Sequence, residues 1–143
     1  MNPHMECYKV GDSDSLSKTV SEHDCYAFAG ITGDFYGVHV NEEYAKKTQF
    51  KTRIAHGAML VGFLSTVMGR MAEKAPPPGA VSYRYDVKFS APVFFGDTIT
   101  FRLDLAEKRE ERSECVFNAS CQNQRGEVVA SGQMILKVLK TQV

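Results

Sequence analysis

The sequence predicts an α+β domain, an antiparallel sheet wrapped around one long central helix. Residues 58–71 carry apolar side chains at helical spacing around most of the circumference, whereas from residue 81 onward they recur at every second position. Short connections between the later segments make neighbouring strands antiparallel. A helix this apolar needs cover on several sides, and a curved sheet supplies it better than a flat one.

In chain order, the first element that the pattern defines is a short helix at "NEEYAKKT". Asn41 suits an N-cap, and Glu42 and Glu43 sit favourably at the positive end of the helix. The central helix opens at "HGAMLVGFLSTVMGRMAEK". Met59, Leu60, Phe63, Leu64, Val67, Met68 and Met71 build a broad apolar face, and Ala58 and Val61 widen it, so little is left to face water. Gly62, Ser65 and Gly69 are small enough for neighbouring backbone to come close. "KAPPPGA" at 74–80 ends this helix, because three prolines continue neither a helix nor a ladder. The chain before it reads mainly as helix and loop, the chain after it mainly as strand.

In "VSYRYDVKF", Val81, Tyr83, Tyr85, Val87 and Phe89 alternate with polar residues as one face of a half-buried strand. "TITFRLDLAEK" repeats the pattern with Ile99, Phe101, Leu103 and Leu105. "SECVFNASCQN" and "EVVASGQMILKVLK" are two further strands, joined by a turn through Gln124-Arg125-Gly126. A single domain over residues 1–143 holds these elements, since a chain of this length closes comfortably around one core.

Composition narrows the function classes. Lys+Arg and Asp+Glu both number 17, so net charge gives no reason to expect nucleic-acid or anionic-membrane binding. The four cysteines, at 7, 25, 115 and 121, form no CxxC pair and read as reduced thiols of a cytoplasmic protein. The N-terminal stretch lacks an apolar run of signal-peptide length, and Ala58–Met71 is too short and interrupted to span a bilayer. There is no P-loop, no HExxH, no GxSxG and no zinc-type cysteine pairing. Neither a metal nor a bound cofactor is expected. His23-Asp24 reads as a helix start rather than a ligand pair.

The chemistry concentrates in "TGDFYGVHV", residues 32–40, where Asp34 and His39 stand five apart. On a helix five residues turn about 140° past a full circle, and on a strand an odd offset points to opposite faces. Only a bent segment unites the two, and Gly33, Asp34 and Gly37 are bend-forming residues. From spacing alone, an aspartate in a turn followed by a histidine at a helix entrance is the simpler account. "RIAHGAML" adds a second element, placing His56 and Gly57 at the entrance of the central helix. The first N–H groups of a helix lack partners, and glycine lets a substrate oxygen approach them, which is what an oxyanion site requires. Tight packing at the helix start explains Gly57 equally well when it is taken alone.

Together, "AGITGDFYGVHVNEEYAKKTQFKTRIAHGAML" and "VKFSAPVFFGDTITF" resemble the MaoC-like, or (R)-specific enoyl-CoA hydratase, family of hot dog-fold proteins. The family pattern is an Asp, an Asn-Pro and spacer, a His, then a helix and Ala-His-Gly-Met. Asp34 and His39 occupy the first positions and Ala55, His56 and Gly57 the second. The likeness extends from about residue 8 to 139. One departure is visible: Tyr36-Gly37 stands where the family commonly has Asn-Pro. That removes a backbone restraint and adds a bulky phenol, bearing on acyl preference more than on the reaction.

The resemblance implies reversible addition of water to a trans-2-enoyl thioester, giving an (R)-3-hydroxyacyl thioester. Asp34 and His39 would be the catalytic pair, the Gly57 N–H would bind the thioester carbonyl, and Ser65, His56 and Tyr36 would support the site. Lys46, Lys47, Lys51 and Arg53 would meet coenzyme A phosphates or the acidic face of an acyl carrier protein, although a solvated helix face accounts for each of them as well. Acyl-CoA is the expected substrate and a homodimer or larger homo-oligomer the expected assembly. The alternatives are an acyl-carrier-protein dehydratase, a hot dog thioesterase and a non-catalytic acyl-binding subunit.

Overall fold

The computed structural model describes residues 1–142. Its five strands are β1 (Ser13–Thr19), β2 (Ala80–Phe89), β3 (Thr98–Arg109), β4 (Glu114–Gln122) and β5 (Val128–Val138). They form one antiparallel sheet in the order β1-β3-β4-β5-β2. Four helices precede the second strand: α1 (Glu22–Thr32), α2 (Gly37–Val40), α3 (Glu42–Ala45) and α4 (Gly57–Ala72). Among the described residues, no helix is long and apolar enough to cross a membrane.

The central helix is α4, and it touches both edge strands, β1 and β2, as well as β3 and β5. A flat sheet of five strands could not meet one helix at both edges, so the sheet curls around it. Met59, Leu60, Leu64, Val67, Met68 and Met71 are buried against Ile99, Phe101, Leu103 and Leu105 of β3 and Cys115, Phe117 and Cys121 of β4. At about 1.5–3 kcal/mol for each large apolar side chain fully buried, this interface dominates the stability of the domain. The Tyr8 hydroxyl donates to the Ala72 carbonyl at 3.2 Å, closing the far end of the helix. Burial pushes the Cys25 and Cys115 thiols up to about 11 and Cys121 to about 12, which keeps them protonated.

Three expectations are corrected. The helix is not buried all round: Ala58, Gly62, Ser65, Thr66, Gly69 and Arg70 are exposed, because the sheet covers only the face bearing the larger side chains. The residues before the prolines are not only helix and loop, since β1 lies there. Its sequence, SDSLSKT, is polar on both faces with Leu16 its single apolar residue, as suits an edge strand. Finally, Val81 and Tyr85 do not share a face. The ladder between β2 and β5 slips between Ser82 and Arg84, so Tyr83 is an inserted residue and the alternation reverses across it. Tyr83 joins Glu114 on the outer face, at 2.5 Å from its Oε1, while Val87 beyond the slip packs toward the core.

The proline segment, the Asn41 cap on α3 and the turn around Gly126 stand as expected; Asn41 accepts from the Tyr44 N–H at 3.1 Å, and Gly126 adopts φ 76°. Gly132 of β5 faces Val87 of β2, and a Cβ at this position would overlap the Asp86 carbonyl oxygen. This pair at the sheet edge therefore has no room for a side chain there. Gly132→Ala should cost about 3 kcal/mol, read as a lower urea midpoint with unchanged slope, because the strand backbones must separate to admit the methyl. A midpoint matching the parent would show that β2 and β5 have slack at this crossing.

Candidate active site

The bend that unites Asp34 and His39 is assembled from local chemistry. α1 starts with a capping box between Ser21 and Asp24, which confirms His23-Asp24 as a helix start, and ends at Gly33, whose φ of 82° is left-handed. Asp34 then folds its carboxylate back on the main chain, Oδ1 accepting from the Tyr36 N–H at 3.2 Å. Gly37 opens the one-turn helix α2, and His39 sits on it half-buried. The next support comes from far along the chain. The Ile54 N–H donates to the Val38 carbonyl at 3.1 Å, and the Ala55 N–H to the Val93 carbonyl at 2.8 Å. The motif is thus bonded to the segment leading into α4.

Through that segment the histidine is oriented. His39 Nδ1 lies 2.8 Å from the Ile54 carbonyl oxygen, an acceptor only, so Nδ1 carries the proton and Nε2 keeps its lone pair. Burial holds the His39 pKa below its ordinary value; the hydrogen bond to Ile54 opposes this shift, the neighbouring His56 adds to it and Asp34 again opposes it. A neutral imidazole with a free Nε2 is a proton acceptor ready for use. His56 stacks on it, ring centroids 3.9 Å apart and planes 28° from parallel, and its own Nε2 donates to the Asp34 carbonyl at 3.0 Å. One donor atom from each of Asp34, His39 and His56 lies within 4.8 Å of the others. The three do not fit a metal well, because near-parallel rings send their in-plane lone pairs alongside each other rather than to one point.

Next to this cluster opens a pocket of about 560 Å³. His39, Gly57 and Ser90 supply polar atoms, and Phe50, Leu60, Phe89 and Val93 the apolar wall. His56 offers no side-chain cap to α4, so the Gly57 N–H at its start is not claimed from within the helix. The Phe89 ring lies 3.0 Å from where a Gly57 Cβ would be, so the glycine admits the ring as well as any ligand.

A MaoC like domain model matches residues 11–124. The chain belongs to the MaoC-like domain family. It is 42% identical over 135 residues to an (R)-specific enoyl-CoA hydratase of Rhodospirillum rubrum, covering 94% of this chain and 91% of the relative. It is 37% identical over 137 residues to a 3-hydroxybutyryl-CoA dehydratase of Methylorubrum extorquens, covering 96% and 85%. The solved (R)-hydratase from A. caviae involved in PHA biosynthesis superimposes with a TM-score of 0.83 at 25% identity, over 92% of this chain and 98% of that one.

The MaoC-like fold gathers some of the residues singled out in the sequence and disperses others. Asp34, His39 and His56 cluster, and of these His39 shares the pocket wall with Gly57. Tyr36 is exposed and lies outside the pocket wall; its ring sets an edge against His39 at 5.8 Å and against Tyr44 at 5.7 Å. Gly37 begins a helix, and a Cβ there would stand 2.8 Å from Tyr44 Cγ, so its lack of a side chain makes room for that ring. Ser65 is exposed two turns into α4 and does not reach this pocket.

Of the four cations, Arg53 is committed to Glu22 at 2.7 Å and Glu42 at 3.0 Å, with its guanidinium over Phe95, and Lys46 pairs with Glu43 at 2.9 Å. Lys47 and Lys51 are exposed, and Lys51 follows the pocket residues Gln49 and Phe50. The sequence reading missed Ile54, whose role is played by a carbonyl and left no side-chain signal. It also missed Phe50 and Tyr44, which sit in a stretch without apolar period.

Proposed function

We propose that the chain is an (R)-specific enoyl-CoA hydratase acting also in reverse as a 3-hydroxyacyl-CoA dehydratase, with Asp34 and His39 as its acid/base pair. The observation that carries this reading is the tethered His39: its Nδ1–H is held by Ile54, burial favours its neutral form, and it lines a pocket that also holds the start of α4. His39 Nε2 accepts a proton from water as the water oxygen bonds to C3. The C2–C3 π electrons move toward the thioester, and the oxygen that gains charge meets the Gly57 N–H. A proton delivered to C2 completes the addition, with Asp34 beside the same water. Water and protons are the only species exchanged, so the reaction asks for no cofactor.

Lys47 and Lys51 are the cations left to meet carrier phosphates. The same pair would serve an acidic carrier protein, so carrier choice separates the two dehydratase readings without changing the chemistry. With crotonyl-CoA, loss of enoyl thioester absorbance should accompany unchanged free thiol. Thiol release without hydration would instead indicate a thioesterase, and neither signal a different carrier or a binding role. Asp34→Asn and His39→Gln should each lower turnover by about 10²–10⁴-fold with the fold retained. Turnover near the parent's in either variant removes that residue from the proposed pair.

The pH profile carries its own sign. His39 works as a base only when neutral, and its pKa is depressed, so the neutral form persists further into acid than for an ordinary histidine. In the hydration direction, the acid limb of kcat/KM should lie below the usual imidazole range and vanish in His39→Gln. A limb above that range would contradict the assignment.

The assembly is proposed to be a homodimer. β2 is an edge strand, Tyr85 and Phe89 on it are exposed, and the small residues of α4 lie uncovered. A second copy would cover this apolar surface and the open ladder edge. Light scattering in solution should give twice the chain mass of 15.9 kDa, and a concentration-independent monomer would exclude the dimer.

A further inference from the structure

The ring of His56 is 1% exposed. It is inserted between Phe28, with centroids 4.8 Å apart, and His39, at 3.9 Å. Its Nε2 carries a proton, since the atom it meets is the Asp34 carbonyl oxygen at 3.0 Å. Nδ1 is buried and without a hydrogen-bond partner. An unpaired buried nitrogen is destabilising, and a phenylalanine would fill the same slot without that penalty. The imidazole is thus a costly choice for packing alone.

What it does gain is contact with both halves of the acid/base pair. Asp34 is exposed and held locally by its N–H on Thr32 Oγ1 and its carboxylate on the Tyr36 N–H, and the bond from His56 is the restraint that reaches it from the central-helix entrance. His39 is fixed in its ring plane by Ile54, and the His56 face limits its tilt. We propose that His56 is the positioning residue of the site, holding the Asp34 main chain through its N–H and the His39 ring through its face. This rests on the hydratase reading above, and gives the buried histidine of "AHG" a role distinct from the helix entrance next to it. The titratable groups around the pair are Asp34 and His56 facing His39, the Tyr36 ring at its edge, and Cys25 of α1, whose thiol burial keeps neutral, beside His56.

Two substitutions separate the two contacts. His56→Phe keeps a ring against His39 and deletes the donor; His56→Gln can keep the donor and deletes the ring. With crotonyl-CoA, kcat should fall about ten- to a hundredfold in each, with KM within about twofold, the pattern of lost alignment rather than lost binding. His39 ring NMR without substrate should show its titration midpoint rising in both variants, since the neighbouring imidazole that disfavours its charge is gone. Folded variants with the parent's kcat and midpoint would overturn the proposal. So would a kcat that declines only in step with the folded fraction while the midpoint stays fixed. If the parent itself fails to hydrate crotonyl-CoA, the hydratase reading falls, whereas the NMR titration still judges the His56–His39 contact.

Discussion

Packing of α4 against the sheet is the constraint on which the rest depends. Its buried face, from Met59 to Met71, fixes where the helix begins, and the helix begins at the pocket. Leu60 belongs to core and pocket wall alike, and Gly57 lies against Phe89 of the edge strand. The Gly57 N–H, the proposed oxyanion donor, is therefore positioned by hydrophobic burial, a rigid support for a group that must not move during reaction. His56, immediately before it, inherits that rigidity and passes it to Asp34 and His39.

The electrostatics follow from the same placement. His39 is sunk far enough for burial to favour its neutral form, yet it still lines the pocket beside Gly57. Asp34 is exposed, so its carboxylate stays well solvated while its backbone is held. The two groups thus differ in environment: His39 is desolvated and held toward its neutral form, whereas Asp34 is exposed. Arg53, which the sequence offered to an anionic carrier, instead neutralises Glu22 and Glu42 and joins α1 to α3. That clamp steadies the two elements flanking the bend from outside the pocket.

Most of the fold was legible because burial leaves a periodic signature. The apolar faces of α4 and β3 were read correctly from their spacing, as were the Asn41 cap and the turn at Gly126. β1 was invisible because an edge strand with one apolar residue has no period to detect. The reversal at Tyr83 was invisible because a bulge preserves the sequence alternation while breaking the geometric one. At the site, Asp34, His39 and Gly57 were singled out by their likeness to the family motif, since spacing alone favoured an aspartate in a turn. Ile54 was not, since it contributes a carbonyl that any residue possesses.

The departure at Tyr36-Gly37 is best understood together with Tyr44. Proline suits the first position of a helix, and position 37 is the first residue of α2, so Asn-Pro and Tyr-Gly are two ways of entering the same turn. Proline would stiffen the entry through its own ring. Glycine forgoes that restraint but leaves a hollow, and Tyr44 of α3 fills it, Cγ standing 2.8 Å from the missing Cβ position. The Tyr36 and Tyr44 hydroxyls lie 3.4 Å apart and their rings meet edge to face. Stiffness lost in the backbone is thereby recovered from aromatic packing across α2 and α3. Positions 36, 37 and 44 form one structural unit: a proline ring at 37 would collide with Tyr44, and a small residue at 44 would leave Gly37 unsupported. Any comparison of acyl preference within the family should therefore treat these three positions jointly rather than read Tyr36 as an isolated gate.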